Sequence, residues 1–446
     1  MNLVFESVNG SVYLNFINCP DTNSSGIRRF TPCPIIISMM NVRANPALRT
    51  TTFLSDLKLL TEIPDSKFII PSGVAHSPEV WCGDTHKFNG SSRNKSLFEW
   101  LNPYYLNGLV NKTAFLLLDQ SHEGYQTPWL WEWFHENCTK YNIDPSRIIY
   151  VTGNLDSNKQ YWVWCEERNL DSRMLVVPYA HFENVMSITA YNYNNKIVPM
   201  RRKLNRLPTF DDHIEYKKNN QIKTFNVLQK RVRNHRIWLF KLLNDNNLIV
   251  DNIVSMNIFH SEQSYLEGKH ITEEDQMNLA KLLPIMPPEN PLKGSLDDFS
   301  SSDCGEYLTT FNEQIMLDTW CSVVSEASFS DLENTCFISE KTFKPIACNH
   351  PFIIFGNKGS LMKLKEMGYK TFHPFIDETY DTLPTWERMN AIIKEMLRIS
   401  SMTTQQKFNW YVSMKDILEH NAKVLIQQRL RLHSSYLKIQ EYIQSV

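Results

Sequence analysis

The chain has 446 residues, with 42% hydrophobic and 21% charged residues and a formal net charge of −2. At about 150 residues per domain this length predicts two or three domains, and the composition supports large cores, which excludes disorder of the whole chain. A balance so near neutrality also excludes a protein that works as one broad cationic coat on nucleic acid. No run approaches about 18 uninterrupted apolar residues, so no membrane span is expected. The first residues have neither a basic start nor a long apolar run, so no secretory signal is read and a cytoplasmic location is expected. The nine cysteines are an odd number without a CxxC pair. They predict reduced thiols, not a disulfide frame or a zinc site.

Taken in chain order, 34–38 and 67–71 are short apolar runs bounded by breakers and predict buried strands. Residues 72–96 carry Gly, Ser, Asn and His with little periodicity and predict a long loop. A strand at 114–119, a helix at 128–140 opened by Pro128, and a strand at 147–154 form a strand–helix–strand unit, which implies a parallel sheet. A further strand is expected at 174–178. Residues 192–221 are rich in Lys, Arg and Asn and read as the connection between two domains. A second pattern follows: strand 223–228, helix 236–244, strand 322–326, helix 340–348, strand 352–356 and helix 360–367. Residues 284–302 read as a surface excursion, and 385–444 as mostly helical. The fold class is therefore α/β, with two Rossmann-like domains facing a cleft and a helical C-terminus. Domain bounds are expected at 1–205, 206–410 and 411–446.

Several standard motifs are missing. There is no GxxxxGK[ST], GxGxxG after a strand, HExxH or GxSxG, which weakens readings as a P-loop NTPase, dehydrogenase, zincin or α/β-hydrolase. No apolar strand ends in Asp-x-Asp, so no metal–diphosphate clamp is expected. The most informative stretch is 322–356. A strand ends in polar residues, and Phe337-Ile338-Ser339-Glu340-Lys341 opens a short helix. Pro351 then leads into a buried strand. Free N–H groups at a helix start favour an anion, and a lysine there adds a full charge. The plainer reading of the same residues is an N-capped helix with a solvated Glu–Lys pair.

This stretch resembles the nucleotide-sugar motif of the α-1,3-fucosyltransferase family. There Glu-Asn-Ser is followed by a loop, Tyr-Val-Thr-Glu-Lys, a helix, and a Pro-containing turn into an apolar strand ending in Gly. Ser325-Glu326-Ala327-Ser328, Phe337 to Lys341, and His350-Pro351 through Gly356 take those places. Ala327 stands for the family's Asn and Phe337 for its Tyr. A second block, Lys223 through Arg236, has the matching strand, polar loop and Arg opening a helix. Phage and bacterial glycosyltransferase-like proteins carry a closer form of both blocks. The resemblance spans 223–381. It implies a GT-B glycosyltransferase, metal-independent, with a nucleotide-diphosphate sugar as co-substrate and no other cofactor. It implies that Glu340 holds the ribose, that Lys341 and Arg236 neutralise the diphosphate, and that Phe337 lies against the base. Arg233 and Glu326 join this donor-binding set, with Arg231 and Lys344 as lesser candidates. It also implies that the C-terminal helices return toward the first domain.

The acceptor side is expected from the first domain. Glycosyl transfer with inversion needs a base for the acceptor hydroxyl. Glu123 is the first candidate, Asp119 the second and His122 the third, all just past a buried strand. The simpler reading has Asp119 capping its loop and Glu123 solvated. The acceptor is read as a glycan or a modified base in phage DNA. In the DNA reading, Arg201, Arg202, Lys203, Arg206, Lys217, Lys218, Lys230, Arg231 and Arg233 could track a phosphate backbone. A solvated linker is the preferred reading of these residues. The competing class is a non-catalytic sugar- or nucleotide-binding viral structural or accessory protein on a transferase-like fold. A viral source would place the chain in the host cytoplasm.

Overall fold

The structure is a computed structural model. It describes residues 3–8, 11–16, 68–73, 98, 101, 103–121, 124, 128–195, 206–229, 233–256, 264–282, 313–331, 335–428 and 433–446. The strand expected at 34–38, most of the loop at 72–96 and the excursion at 284–302 lie outside these residues. The chain divides into two compact units. One is Met1–His181 with Arg431–Val446, and the other is Phe182–Leu430.

The first unit opens with an antiparallel hairpin, β1 (Leu3–Val8) and β2 (Ser11–Phe16). Its core is a parallel sheet in the order β3-β4-β5-β6. The chain runs β3 (Phe68–Gly73), α1 (Pro103–Val110), β4 (Ala114–Gln120), α2 (Pro128–Lys140), β5 (Ile148–Thr152), α3 (Ser157–Glu167) and β6 (Leu175–Pro178). Every residue of β4 and β5 is buried. The cause is cover on both faces, which turns a strand into a continuous apolar run. Side chains alternate across the sheet. Leu116, Leu118 and Tyr150 join Trp131, Phe134 and Cys138 of α2 on one side. Phe115, Leu117, Ile149 and Val151 meet Tyr436, Ile439 and Ile443 on the other. Those three belong to the C-terminal helix His433–Ser445. Arg147, 2% exposed, ties the helix end down by donating to the Val446 carbonyl at 3.0 Å.

The second unit begins with α4 (His181–Asn194), grouped here by contacts such as Tyr369 Oη donating to Glu183 Oε1 at 2.7 Å. It continues with α5 (Phe210–Asn219), β7 (Lys223–Leu228), α6 (Asn234–Asp245) and β8 (Ile253–Ser255). A short hairpin, β9 (Ser264–Leu266) and β10 (Lys269–Ile271), precedes α7 (Glu273–Leu282) and α8 (Glu313–Leu317). Then come β11 (Thr319–Ser325), α9 (Glu340–Ala347), β12 (Phe352–Phe355), α10 (Ser360–Glu366), α11 (Thr385–Ser400), α12 (Thr404–Ser413) and α13 (Lys415–Gln428). The sheet is parallel throughout, in the order β12-β11-β7-β8. From β7 the chain first adds β8 on one side, then β11 on the other. The β7–β11 boundary is thus a topological switch point, where a parallel sheet opens a crevice at its strand C-termini. Among the described residues, no helix is long and apolar enough to cross a membrane.

The opposite end of this sheet is closed by a buried basic cluster. Lys217 Nζ donates to the carbonyls of Leu317 at 3.0 Å, Thr319 at 2.5 Å and Met316 at 3.4 Å. It thereby caps α8, whose last carbonyls have no helical partner. His213 donates from Nε2 to the Cys348 carbonyl at 2.7 Å, and its ring lies 5.6 Å from that of His350. Burial, assisted by the Lys217 charge, pushes His213 down to about 3 and His350 well below the ordinary histidine value. Both rings are neutral in the fold. Below pH 6.5 the unfolded chain therefore binds more protons than the folded one, and stability is lost as pH falls from about 6.5 toward 3. The expected slope is about 1.4 kcal/mol per pH unit for each ring. Urea unfolding at pH 7, 6 and 5 measures it, and His213→Gln should flatten the decline.

Candidate functional site

Three chain segments end or begin at the C-terminal end of the β7–β11 boundary. The first is the start of α6. Arg233 is its N-cap residue, in extended backbone conformation, and its Nη1 donates to the Ala327 carbonyl. His235 Nε2 donates to the Glu326 carbonyl at 3.1 Å, because a carbonyl can only accept. Arg236 Nη2 donates to the carbonyls of Ser325 at 3.1 Å and Glu326 at 3.0 Å. Three basic side chains from one helical turn thus bind three successive carbonyls at the end of β11. Burial, then the Arg236 charge, pushes the His235 pKa down to about 3, so the ring works as a neutral donor.

The second is the start of α9. Glu326 Oε1 accepts the Ser339 N–H at 3.1 Å and the Thr342 hydroxyl at 2.6 Å, and Oε2 accepts the Ser339 hydroxyl at 2.5 Å. A carboxylate is stabilised there by the positive end of the helix dipole. Ser339 also caps the helix, accepting the Lys341 N–H at 3.4 Å. Lys341 Nζ lies 2.7 Å from Glu340 Oε1 and 3.2 Å from Ser339 Oγ. Burial pushes the Glu340 carboxyl up, but the Lys341 and Lys344 charges outweigh it and hold the group below its usual range. The Lys341 side chain is 32% exposed, whereas that of Glu340 is 5% exposed.

The third is the end of β12. A Cβ built on Gly356 would meet Ile354 Cγ2 at 2.9 Å and Glu326 Cβ and Cγ at 3.2 and 3.3 Å. Glycine is required because the strand end passes against Glu326. Behind it, the Phe355 and Phe329 rings stack at 4.1 Å, and His235 lies 6.2 Å from Phe355.

The structure therefore brings Arg233, Arg236, Glu326, Glu340 and Lys341 to one edge of the second sheet. Arg236 and Glu326 read from sequence as ligand contacts. In the fold they are 3% and 1% exposed, and the bonds above show them holding these segments together. Arg233 and Lys341 are the basic pair nearer the surface. Phe337 is half-buried, with its ring centroid 5.7 Å from that of Phe182 in an edge-to-face arrangement. In the first unit, Asp119 is 2% exposed and Oδ1 accepts the Ser121 N–H at 2.9 Å, so it holds the turn after β4. Glu123, His122 and Arg231 lie outside the described residues. His181 is buried, with its N–H on the Tyr179 carbonyl.

Of the basic run, Arg201, Arg202, Lys203, Lys230 and Arg231 lie outside the described residues. Arg206 is bound to Asp212, with Nη2 to Oδ1 at 2.9 Å. Lys217 is buried at the end of α8, and the Lys218 ammonium lies 5.9 Å from the Phe408 ring. Cys138, Cys165, Cys321 and Cys348 are buried free thiols, and Cys336 is buried as well. A cavity of about 580 Å³ in the first unit is lined by Trp162, Arg173 and Tyr442 among others, and none of the expected site residues lines it. Sequence reasoning missed the part played by His235, although a second basic residue beside Arg236 in a helix's first turn was its signal. It also missed Thr342 and Gly356 as the seat of Glu326.

No family model matches the sequence, and no curated protein matches it. Two solved structures align over 75% of this chain and 67% of their own. One is an α,α-trehalose-phosphate synthase (UDP-forming) from Burkholderia vietnamiensis, with a TM-score of 0.33 and 12% identity. The other is a trehalose-6-phosphate synthase, OtsA, with a TM-score of 0.34 and 9% identity. At these scores the likeness carries no weight beside the geometry of the chain itself.

Gly356→Ala should destabilise the second unit by about 1–3 kcal/mol, because the new methyl overlaps atoms close to the backbone that cannot swing away. A fall in the urea midpoint with an unchanged slope checks it. A midpoint equal to that of the unmodified chain would show that Glu326 is not seated against this strand end.

Proposed function

We propose that this chain is a glycosyltransferase that takes a sugar from a nucleoside-diphosphate sugar bound at the second unit's sheet. The observation that carries the reading is the Lys341 ammonium, partly exposed and paired with Glu340 at the Ser339-capped start of α9, at the same end of the sheet as Arg233 at the start of α6. Two helix starts and two cations on a switch-point crevice suit a diphosphate, whose charge grows as the glycosidic bond breaks. Lys341 and Arg233 bind that leaving group. Arg236, His235 and Glu326 keep the two helix starts in place. Glu340, held anionic by Lys341 and Lys344, accepts from ribose hydroxyls, and Phe337 lies against the base.

The acceptor is a glycan hydroxyl. A DNA acceptor is not part of the reading, because Arg206 and Lys217 are already committed within the fold. Glu123 serves as the base that takes the hydroxyl proton, and transfer inverts the sugar carbon. The leaving-group charge is met by side chains and helix starts, so no metal ion is required.

Thermal-shift and calorimetric titrations with UDP- and GDP-linked sugars test the site, since a ligand that binds only the folded state raises its midpoint. Lys341→Ala should weaken donor binding by about 1.5–3 kcal/mol, the worth of one hydrogen bond to a charged group. Affinity unchanged for every nucleoside diphosphate would remove the donor assignment. Turnover should persist in EDTA. Complete loss, restored by manganese, would overturn the metal-independent mechanism.

A further inference from the structure

Two polar side chains at the end of the second sheet are buried with nothing to bond. Asn226 of β7 pairs with Ser322 of β11. Three residues on, Gln229 directly follows β7 and Ser325 ends β11. Gln229 is 1% and Ser325 2% exposed. Neither the amide oxygen nor the amide nitrogen of Gln229 has a hydrogen-bond partner, and the Ser325 hydroxyl has none. Their backbones, by contrast, are engaged. The Gln229 N–H donates to the Ser255 carbonyl at 3.2 Å, and the Ser325 carbonyl accepts from Arg236. A buried polar group without a partner costs stability, and native folds leave few of them. Here two occur where β7 and β11, the two strands that flank the switch point, come to their ends. They adjoin the carbonyls that anchor α6.

We propose that Gln229 and Ser325 form a hydrogen-bonding pair for hydroxyl groups of the nucleoside-diphosphate sugar, so the proposal rests on the donor-site reading above. An amide and a hydroxyl together offer both donors and acceptors. Sugar hydroxyls also donate and accept, so they satisfy every open position. A diphosphate only accepts and would leave the amide oxygen unpaired, and the cations Arg233 and Lys341 already suit it. The hydroxyls belong either to the ribose or to the transferred sugar.

Gln229→Met and Ser325→Ala test the pair by two readouts. Without ligand, each variant should unfold at a higher temperature, by on the order of 2–4 °C, because an unpaired polar group has been removed. Lower midpoints in both variants would show that these groups have partners within the fold, and would overturn the proposal. With ligand, calorimetry against UDP-glucose, GDP-fucose, UDP, GDP and their 2′-deoxy diphosphates should show about a 3- to 10-fold loss of affinity per variant. Loss confined to the nucleotide sugars supports the pair and assigns it to the transferred sugar. Loss shared by nucleotide sugar and diphosphate, but absent from the 2′-deoxy diphosphate, supports it and assigns it to the ribose. Affinities within about two-fold of the unmodified chain for every probe that it binds overturn the pair and leave the donor site standing. No binding of any probe by the unmodified chain overturns both. Should one variant fail to fold, the other carries the same readouts.

Discussion

The carboxylate of Glu326 joins the end of β11 to the start of α9, and the second unit's site is built around that join. Its oxygens take the Ser339 N–H, the Ser339 hydroxyl and the Thr342 hydroxyl. Its own carbonyl takes His235 and Arg236 from the other helix. One residue therefore fixes two helix starts against the same strand end. A carboxylate at 1% exposure is stable only when its lone pairs are met and a positive potential faces it, and the α9 start supplies both. Gly356 supplies the space.

The same arrangement divides the basic residues into two kinds. Arg236 and His235 donate to backbone carbonyls at the end of β11. Arg233 and Lys341 stand nearer the surface. The division is one of depth, not direction: Arg233 also donates to a carbonyl at the end of β11, but it does so from the N-cap, before the helix begins, and is only half-buried. Positive charge on the inner residue is tolerated because the guanidinium donates to fixed carbonyls, whereas His235 is neutral and adds no charge to the buried wall.

Much of this was legible in the sequence, for physical reasons that differ by element. The strands at 114–120 and 148–152 stood out because both faces of their sheet are covered, which makes the whole strand apolar. The start of β11 was missed, since Thr319 and Trp320 do not read as a strand onset. Thr319 is buried because its hydroxyl donates to the Ile315 carbonyl and accepts from Asn226. The helix start at Glu340 and Lys341 was legible, whereas the helix read as opening at Arg236 begins at Asn234, with Arg233 as its N-cap residue. The interior roles of Arg236 and Glu326 were not legible. A charged residue beside a polar loop looks solvated until the distant carbonyl or helix start that receives it is known. Lys217 is the same case, a member of a basic run that turns out to cap a helix from inside the core. The orphaned amide of Gln229 could not be read at all, because it is defined by what surrounds it.

The helix at 433–445 has a consequence for how the protein is made. It covers the face of the first sheet formed by Phe115, Leu117, Ile149 and Val151. Its residues leave the ribosome only after the whole second unit has been synthesised. Until then the first sheet has one apolar face open, for the time needed to translate about 250 residues at roughly 5–20 residues per second. The first unit is thus a late-completing fold that begins early. During that interval it offers a chaperone-sized hydrophobic surface, while the uninterrupted second unit can close on its own.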